Sequence, residues 1–248
     1  MIMRGPKGLG EWAALTEYAD REAAVWLRSG LEQAFDSSVP FPSSDNQRIP
    51  VNAIFPNLSL DAIAHWWDLF PGAHSAKVKV GEDRNPQADI ERIRIIRQVI
   101  GPDISLRLDA NGRWSVAETQ RILEELQPVG IDYVEQPVAT VNEMVELKSL
   151  LEGTGIRLAA DELVRQSHQL PDIIARSAAD VAVLKVSPLG GVHATRTLAR
   201  QAINAGLHVV ISSGLETSVG LAWGARAVAL LTEEFGPQPD AGLASAVL

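Results

Sequence analysis

A parallel α/β fold of the (β/α) TIM-like barrel type is what this sequence predicts, on three observations. Short β-branched runs ending in a polar or charged residue recur along most of the chain. An amphipathic helical stretch follows each run, the pattern of βαβ units and a parallel sheet. About eight such units fit within roughly 200 residues, which suits a closed barrel better than an open doubly wound sheet, the alternative reading.

The elements read in order as follows. Ile49 to Phe55 is the first strand and Asp61 to Phe70 a short helix. Ser75 to Val80 is the second strand; its helix is opened by Pro86 and carries Ile90, Ile93, Ile96 and Ile100 at helical spacing. Ile104 to Asp109 is the third strand, followed by a helix from Ser115 with Glu118 in capping-box position. Ile131 to Glu135, Ile156 to Asp161, Val181 to Val186 and Leu207 to Ser212 continue the series, and Ala241 to Ala244 is a weak last strand. Residues 1–47 do not fit the repeat. Glu17 to Phe35 reads as a helix, and Asp36 to Gln47, rich in Ser, Pro and Asp, as a linker. The domains expected are therefore 1–47, part of a smaller domain with a linker, and 48–248, the barrel.

Composition narrows the function classes. Apolar residues make up 46% and charged residues 21% of the chain, enough to bury a sizeable core. A formal charge of −9 argues against a nucleic-acid or anionic-membrane surface, since both need a basic face. No apolar run approaches the ~18 residues that span a bilayer, and the start has no signal-peptide core. A soluble cytoplasmic protein is expected. With no cysteine, thiolate catalysis and Cys-ligated zinc are excluded.

The chemistry lies at the strand ends. Asp109, Glu135 and Asp161 close three successive strands at a constant interval of 26 (135 − 109 and 161 − 135). Lys77 and Lys79 precede them and Lys185 follows, at matching places on the flanking strands. In a barrel these ends form the mouth, where active sites gather. Side chains two apart on a strand share a face, so Lys77 points with Lys79, and Arg107 with Asp109. Three converging carboxylates repel one another unless a cation neutralises them, and an all-oxygen set favours a hard ion such as Mg²⁺. Ammonium groups flanking such an ion suit removal of a proton beside a carboxylate. Ordinary rim ion pairs are the blander reading of any one of these charges alone.

Lys77-Val78-Lys79, Asp109-Ala110-Asn111, Glu135-Gln136-Pro137, Asp161-Glu162 and Leu184-Lys185 resemble, in order, the motif series of the muconate-lactonizing branch of the enolase superfamily. Arg4 to Trp12, Leu184 to Gly191 and Ser212 to Gly220 are similar to the o-succinylbenzoate synthase family within it. The resemblance implies that Asp109, Glu135 and Asp161 hold Mg²⁺. Lys79 would remove the proton alpha to the carboxylate of a small-molecule substrate and return it to the departing hydroxyl. Lys185, on the opposite face, would stabilise the enediolate, and Lys77 would support Lys79. Ser212, Ser213 and Gly214 would line the pocket for a succinyl arm, with Asn111 and Arg107 as further candidate contacts of unassigned role. The implied reaction is a syn dehydration in menaquinone synthesis. It also implies that residues 1–47 belong to a capping domain, and that both termini are short against the family pattern. An N-acylamino acid racemase or dipeptide epimerase on the same scaffold, using Lys79 and Lys185 as opposed bases, and an inactive homologue are the alternatives. The sequence does not specify an oligomeric state.

Smaller signals have bland readings. Gly5, Gly8 and Gly10 read as turns, Gly190 and Gly191 as turn formers opening helices, and Trp66 and Trp67 as packing residues. Trp223 reads as core, and the five histidines show no metal-ligand spacing.

Overall fold

The strand–helix alternation is carried in a computed structural model that describes residues 1–16, 18–43, 48–83, 85–165 and 168–247. These fall into two units, Val51–Leu163 with Pro171–Val181, and Met1–Pro50 with Val164–Leu170 and Ala182–Leu248.

In the first of these units five strands neighbour one another in chain order: β3 (Ala53–Phe55), β4 (Ser75–Lys79), β5 (Ser105–Asp109), β6 (Ile131–Glu135) and β7 (Arg157–Ala160). All the pairs are parallel. A doubly wound sheet reverses its strand order at a switch point; this run does not, and it has the order of a (β/α) barrel. The first strand is three residues, shorter than predicted, because Pro50 lies within the predicted run and offers no N–H to a ladder. Helices connect the strands: α2 (Ile63–Trp67), α3 (Pro86–Ile100), α4 (Val116–Leu126), α5 (Val141–Leu150) and, after β7, α6 (Leu170–Ala175).

Local chemistry explains their ends. Asn85 accepts from Ala88 N at 3.3 Å and Pro86 fills the first turn of α3, whose Ile90, Ile93 and Ile96 are fully buried. Ser115 accepts from Glu118 N at 3.2 Å to open α4. The reciprocal capping box is made at α5, where Thr140 N donates to Glu143 Oε2 at 3.0 Å and Glu143 N to Thr140 Oγ1 at 3.3 Å. Trp67 stacks on Phe55 at 6.2 Å and Trp66 Nε1 donates to Ile54 O at 2.6 Å, the packing role predicted for both.

The other unit contains β1 (Ile2–Gly5), β2 (Gly8–Glu11) and α1 (Asp20–Phe35). It also holds β8 (Val181–Lys185, apart from its first residue), α7 (Val186–Leu189), α8 (Val192–Asn204), β9 (His208–Ser212) and α9 (Ser218–Phe235). Of the glycines predicted as turns, Gly5 and Gly8 close the two-residue turn of an antiparallel hairpin of β1 and β2, while Gly10 lies within β2. At Gly5 and Gly10 smallness serves close packing: a Cβ on Gly10 would lie 2.0 Å from Gly30 O, and one on Gly5 2.2 Å from Ala34 O, both in α1. Glu17, the predicted start of that helix, and residues 44–47 of the predicted linker lie outside the described residues. The weak strand predicted at Ala241 to Ala244 reduces to the bridge residues Ala241 and Gly242, the latter paired with Ser212, and Ala244–Val247 forms a 3-10 turn. The alanine- and glycine-rich segment has little β propensity to extend the ladder. Trp223, predicted as core, is half-buried on α9, with Arg226 over its ring at 4.4 Å. Among the described residues no helix is long and apolar enough to cross a membrane.

Candidate active site

Register sets the site. Lys79 of β4 pairs with Asp109 of β5, and Asp109 with Glu135 of β6, so three side chains form a row across three parallel strands. The constant sequence interval hides an irregularity. Leu106 pairs with Ile131 but Arg107 with Tyr133, so Asp132 is passed over before Asp109 and Glu135 come level. Glu135 in turn pairs with Ala159, which places Asp161 two residues beyond the row on β7's side, on the same alternation. A second row lies one pleat below, where Lys77 pairs with Arg107 and Arg107 with Tyr133.

The three carboxylates are almost wholly buried, Asp109 and Glu135 at 1% exposure and Asp161 at 2%. Lys77 Nζ stands between two of them, 3.0 Å from Asp109 Oδ2 and 3.1 Å from Glu135 Oε1. Lys79 Nζ donates to Asp109 Oδ2 at 2.7 Å and to Asn111 Oδ1 at 3.0 Å. Burial disfavours the charged form of Lys77, but Asp109 and Glu135 outweigh it and raise its pKa well above the ordinary lysine value. The two flanking carboxylates favour the ammonium form of Lys77. Burial likewise pushes Asp109 up, and the paired charges of Lys77 and Lys79 overcome it and hold the carboxyl below the usual carboxylate range. Lys79 is the more accessible lysine, its side chain 24% exposed against 8% for Lys77.

Around this array, Asn111 sits at φ 47° with its Nδ2 on Glu162 Oε1 at 3.0 Å and its N on Asp109 Oδ1 at 3.2 Å. Arg107 is buried with its guanidinium over the Tyr133 ring at 5.1 Å. Gln136, Tyr133 and Glu162 touch this array without having been singled out by sequence. Gln136 and Glu162 lie within the quoted motifs, but a hydrogen bond to a strand about 25 residues away leaves no periodic trace.

The remaining predicted residues belong to the other unit. Lys185 closes β8 and is half-buried. Ser212 Oγ donates to Gly242 O at 3.3 Å, Ser213 Oγ lies 2.7 Å from Ser245 Oγ, and Gly214 N donates to Glu216 Oε2 at 2.5 Å. Gly190 and Gly191 have φ of 88° and 120°, the backbone freedom predicted for turn formers ahead of α8.

The strand-end carboxylates suit a cation in their chemistry but not in their spacing. The strand-end donors are oxygens only and buried, the chemistry of a hard divalent ion. Lys77 separates Asp109 from Glu135, however. Among the described residues the group whose ligand atoms all lie within 4.8 Å is Glu32, Asp36 and His193, in the other unit. There Glu32 accepts from Val192 N and from His193 N at 3.3 Å, at the N-terminus of α8, which is a capping arrangement. Sequence spacing did not reveal it because α1 and α8 are far apart in the chain.

Strand-end acids and lysines on a barrel-type α/β scaffold define an enzyme class built for chemistry beside carboxylates. A family model described as Enolase C-terminal domain-like matches residues 68–242, and one described as Enolase N-terminal domain-like matches residues 1–34. The chain belongs to the enolase superfamily. It is 40% identical over 234 residues to a protein named o-succinylbenzoate synthase from Mycobacterium ulcerans, covering 94% of this chain and 68% of that protein. A solved N-succinyl Arg/Lys racemase from Bacillus cereus is 29% identical, with a TM-score of 0.68 over 76% of this chain; the chain spans 51% of its length. A muconate cycloisomerase from Pseudomonas fluorescens shares the fold at a TM-score of 0.78 and 23% identity, over 94% of this chain and 66% of its own.

Proposed function

We propose that this chain is an o-succinylbenzoate synthase. It would dehydrate 2-succinyl-6-hydroxy-2,4-cyclohexadiene-1-carboxylate to o-succinylbenzoate, a step of menaquinone synthesis. The observation that carries the reading is 40% identity over 94% of the chain to a protein of that name. The lysine–carboxylate row supports the chemistry. On this reading residues 1–47 are part of a capping domain with its linker, and 48–248 form the barrel.

Asp109, Glu135 and Asp161 would hold Mg²⁺, which when bound supplies positive charge to the substrate carboxylate and so acidifies the carbon beside it. Lys79, reachable from solvent and steered by Asp109 and Asn111, takes the proton from that carbon. The same Nζ gives a proton to the departing hydroxyl on the same face, so water leaves and the ring becomes aromatic. Lys77 keeps a fixed positive charge among the carboxylates. The family resemblance gives Lys185 the electrostatic role toward the enediolate, and Ser212, Ser213 and Gly214 the succinyl arm.

A second reading is racemisation of N-acylamino acids, favoured by the name of the solved Bacillus cereus relative. Both are tested by following substrate absorbance with Mg²⁺, and chirality of an N-succinylamino acid, for this chain and its Lys79→Ala variant. Dehydration lost on EDTA treatment and in the variant is the expected result. Racemisation without dehydration, from folded protein that binds Mg²⁺, would sink the synthase reading.

A further inference from the structure

We infer that Gln136 is a positioning residue that sets the Asp161 carboxylate in place for the cation, an inference resting on the proposed role of Asp161. Gln136 is fully buried immediately after Glu135, and holds φ 40°, a left-handed conformation that a residue with a side chain rarely adopts. Its side-chain oxygen accepts from two backbone N–H groups at once, Asp161 N at 3.1 Å and Leu163 N at 3.2 Å. Its amide nitrogen donates to Val138 O at 2.7 Å, which fixes which end of the amide faces the two N–H groups. Its backbone spans both neighbours. Gln136 N donates to Ala159 O at 2.8 Å, and Gly112 N donates to Gln136 O at 2.6 Å.

The consequence follows from where regular pairing stops. Backbone pairing carries β6 and β7 level only as far as Glu135 with Ala159. Asp161 lies past the end of β7, where the ladder no longer determines its position. Gln136 takes over that task. One side chain ties the N–H of Asp161 itself and of the residue two further on to the strand end that carries Glu135. The left-handed turn at Gln136 is what aims its side chain across the gap. Residues that orient a metal ligand in this way commonly govern affinity about 10–100-fold.

The test is Mg²⁺ titration by calorimetry on the whole chain, with Gln136→Met, Gln136→Glu and Asp161→Asn. Methionine keeps the length and removes the acceptor; glutamate keeps an oxygen facing both N–H groups but sets its other oxygen, in place of a donor, against Val138 O. Gln136→Met should bind Mg²⁺ about 10–100-fold more weakly, and its KM for Mg²⁺ should rise while kcat at saturating Mg²⁺ is largely kept. Gln136→Glu, which keeps the acceptor and loses the Val138 partner, should bind Mg²⁺ more tightly than Gln136→Met. A role confined to holding the turn would lower the unfolding midpoint and leave Mg²⁺ affinity alone. Unchanged affinity in Gln136→Met, with affinity lost in Asp161→Asn, would overturn the inference. Should Gln136→Met not fold, unchanged Mg²⁺ affinity in folded Gln136→Leu, which also lacks the acceptor, would overturn it equally. Unchanged affinity in Asp161→Asn would instead count against the proposed metal site.

Discussion

Replacing Lys77 by methionine should cost this protein about 3–5 kcal/mol of stability, the penalty for removing one partner from a buried charge group. The structure sets that magnitude. The Lys77 ammonium lies 3.0 Å from Asp109 and 3.1 Å from Glu135, and both carboxylates are at 1% exposure with little water to replace it. Methionine fills the space of the stem and removes this ammonium from both carboxylates, with Lys79 still on Asp109. For a chain of this size the loss corresponds to roughly 6–20 °C in Tm, measured by urea and thermal unfolding followed by circular dichroism. The pH dependence has a definite sign. Asp109 has its folded pKa depressed, first against burial and then by Lys77 and Lys79, so its pairing contributes stability above the unfolded carboxylate value of about 3.9. That contribution is lost as pH falls through the folded value. The gap between parent and variant should therefore be full at pH 7 and narrow below about pH 4. A loss under about 1 kcal/mol, the range of an exposed ion pair, or a gap indifferent to acid, would refute the view that Lys77 neutralises these carboxylates.

Three further outcomes are expected. Gly10→Ala places a methyl 2.0 Å from Gly30 O and should destabilise by about 1–3 kcal/mol in urea unfolding, because backbone on both sides must shift. Glu11→Gln should cost about 1–2 kcal/mol by the same assay: the buried carboxylate accepts from Thr217 N, Thr217 Oγ1 and Gly220 N at 3.0, 2.8 and 2.9 Å around the first turn of α9. Asp132→Asn should cost about 1 kcal/mol at pH 7, since Ser105 Oγ donates to Asp132 at 2.6 Å and Arg157 pairs with it. Burial raises the Asp132 pKa, but these partners outweigh it and leave a depressed folded value, so the cost should fade in acid titrations below about pH 4.

The sequence alone determines the repeat of strand and helix, because period-two and period-3.6 burial are written residue by residue, as in Ile90, Ile93 and Ile96 on α3. It also determines which of the acids and lysines share a face, since side chains two apart on a strand point the same way, as Lys77 with Lys79 and Arg107 with Asp109. Asp109 and Glu135 close their strands as expected. The tertiary structure alone decides what lies level with what. The skipped Asp132, the placement of Asp161 two residues past Ala159, and the Gln136 oxygen that holds it depend on register between strands about 25 residues apart. Gly5 and Gly10 of the hairpin are the same case, since their smallness answers to α1, a segment about 20–30 residues away. Local pattern encodes which face a side chain takes. Register and close approach are pairwise properties of distant segments, settled only when backbones pack and buried polar groups must find partners.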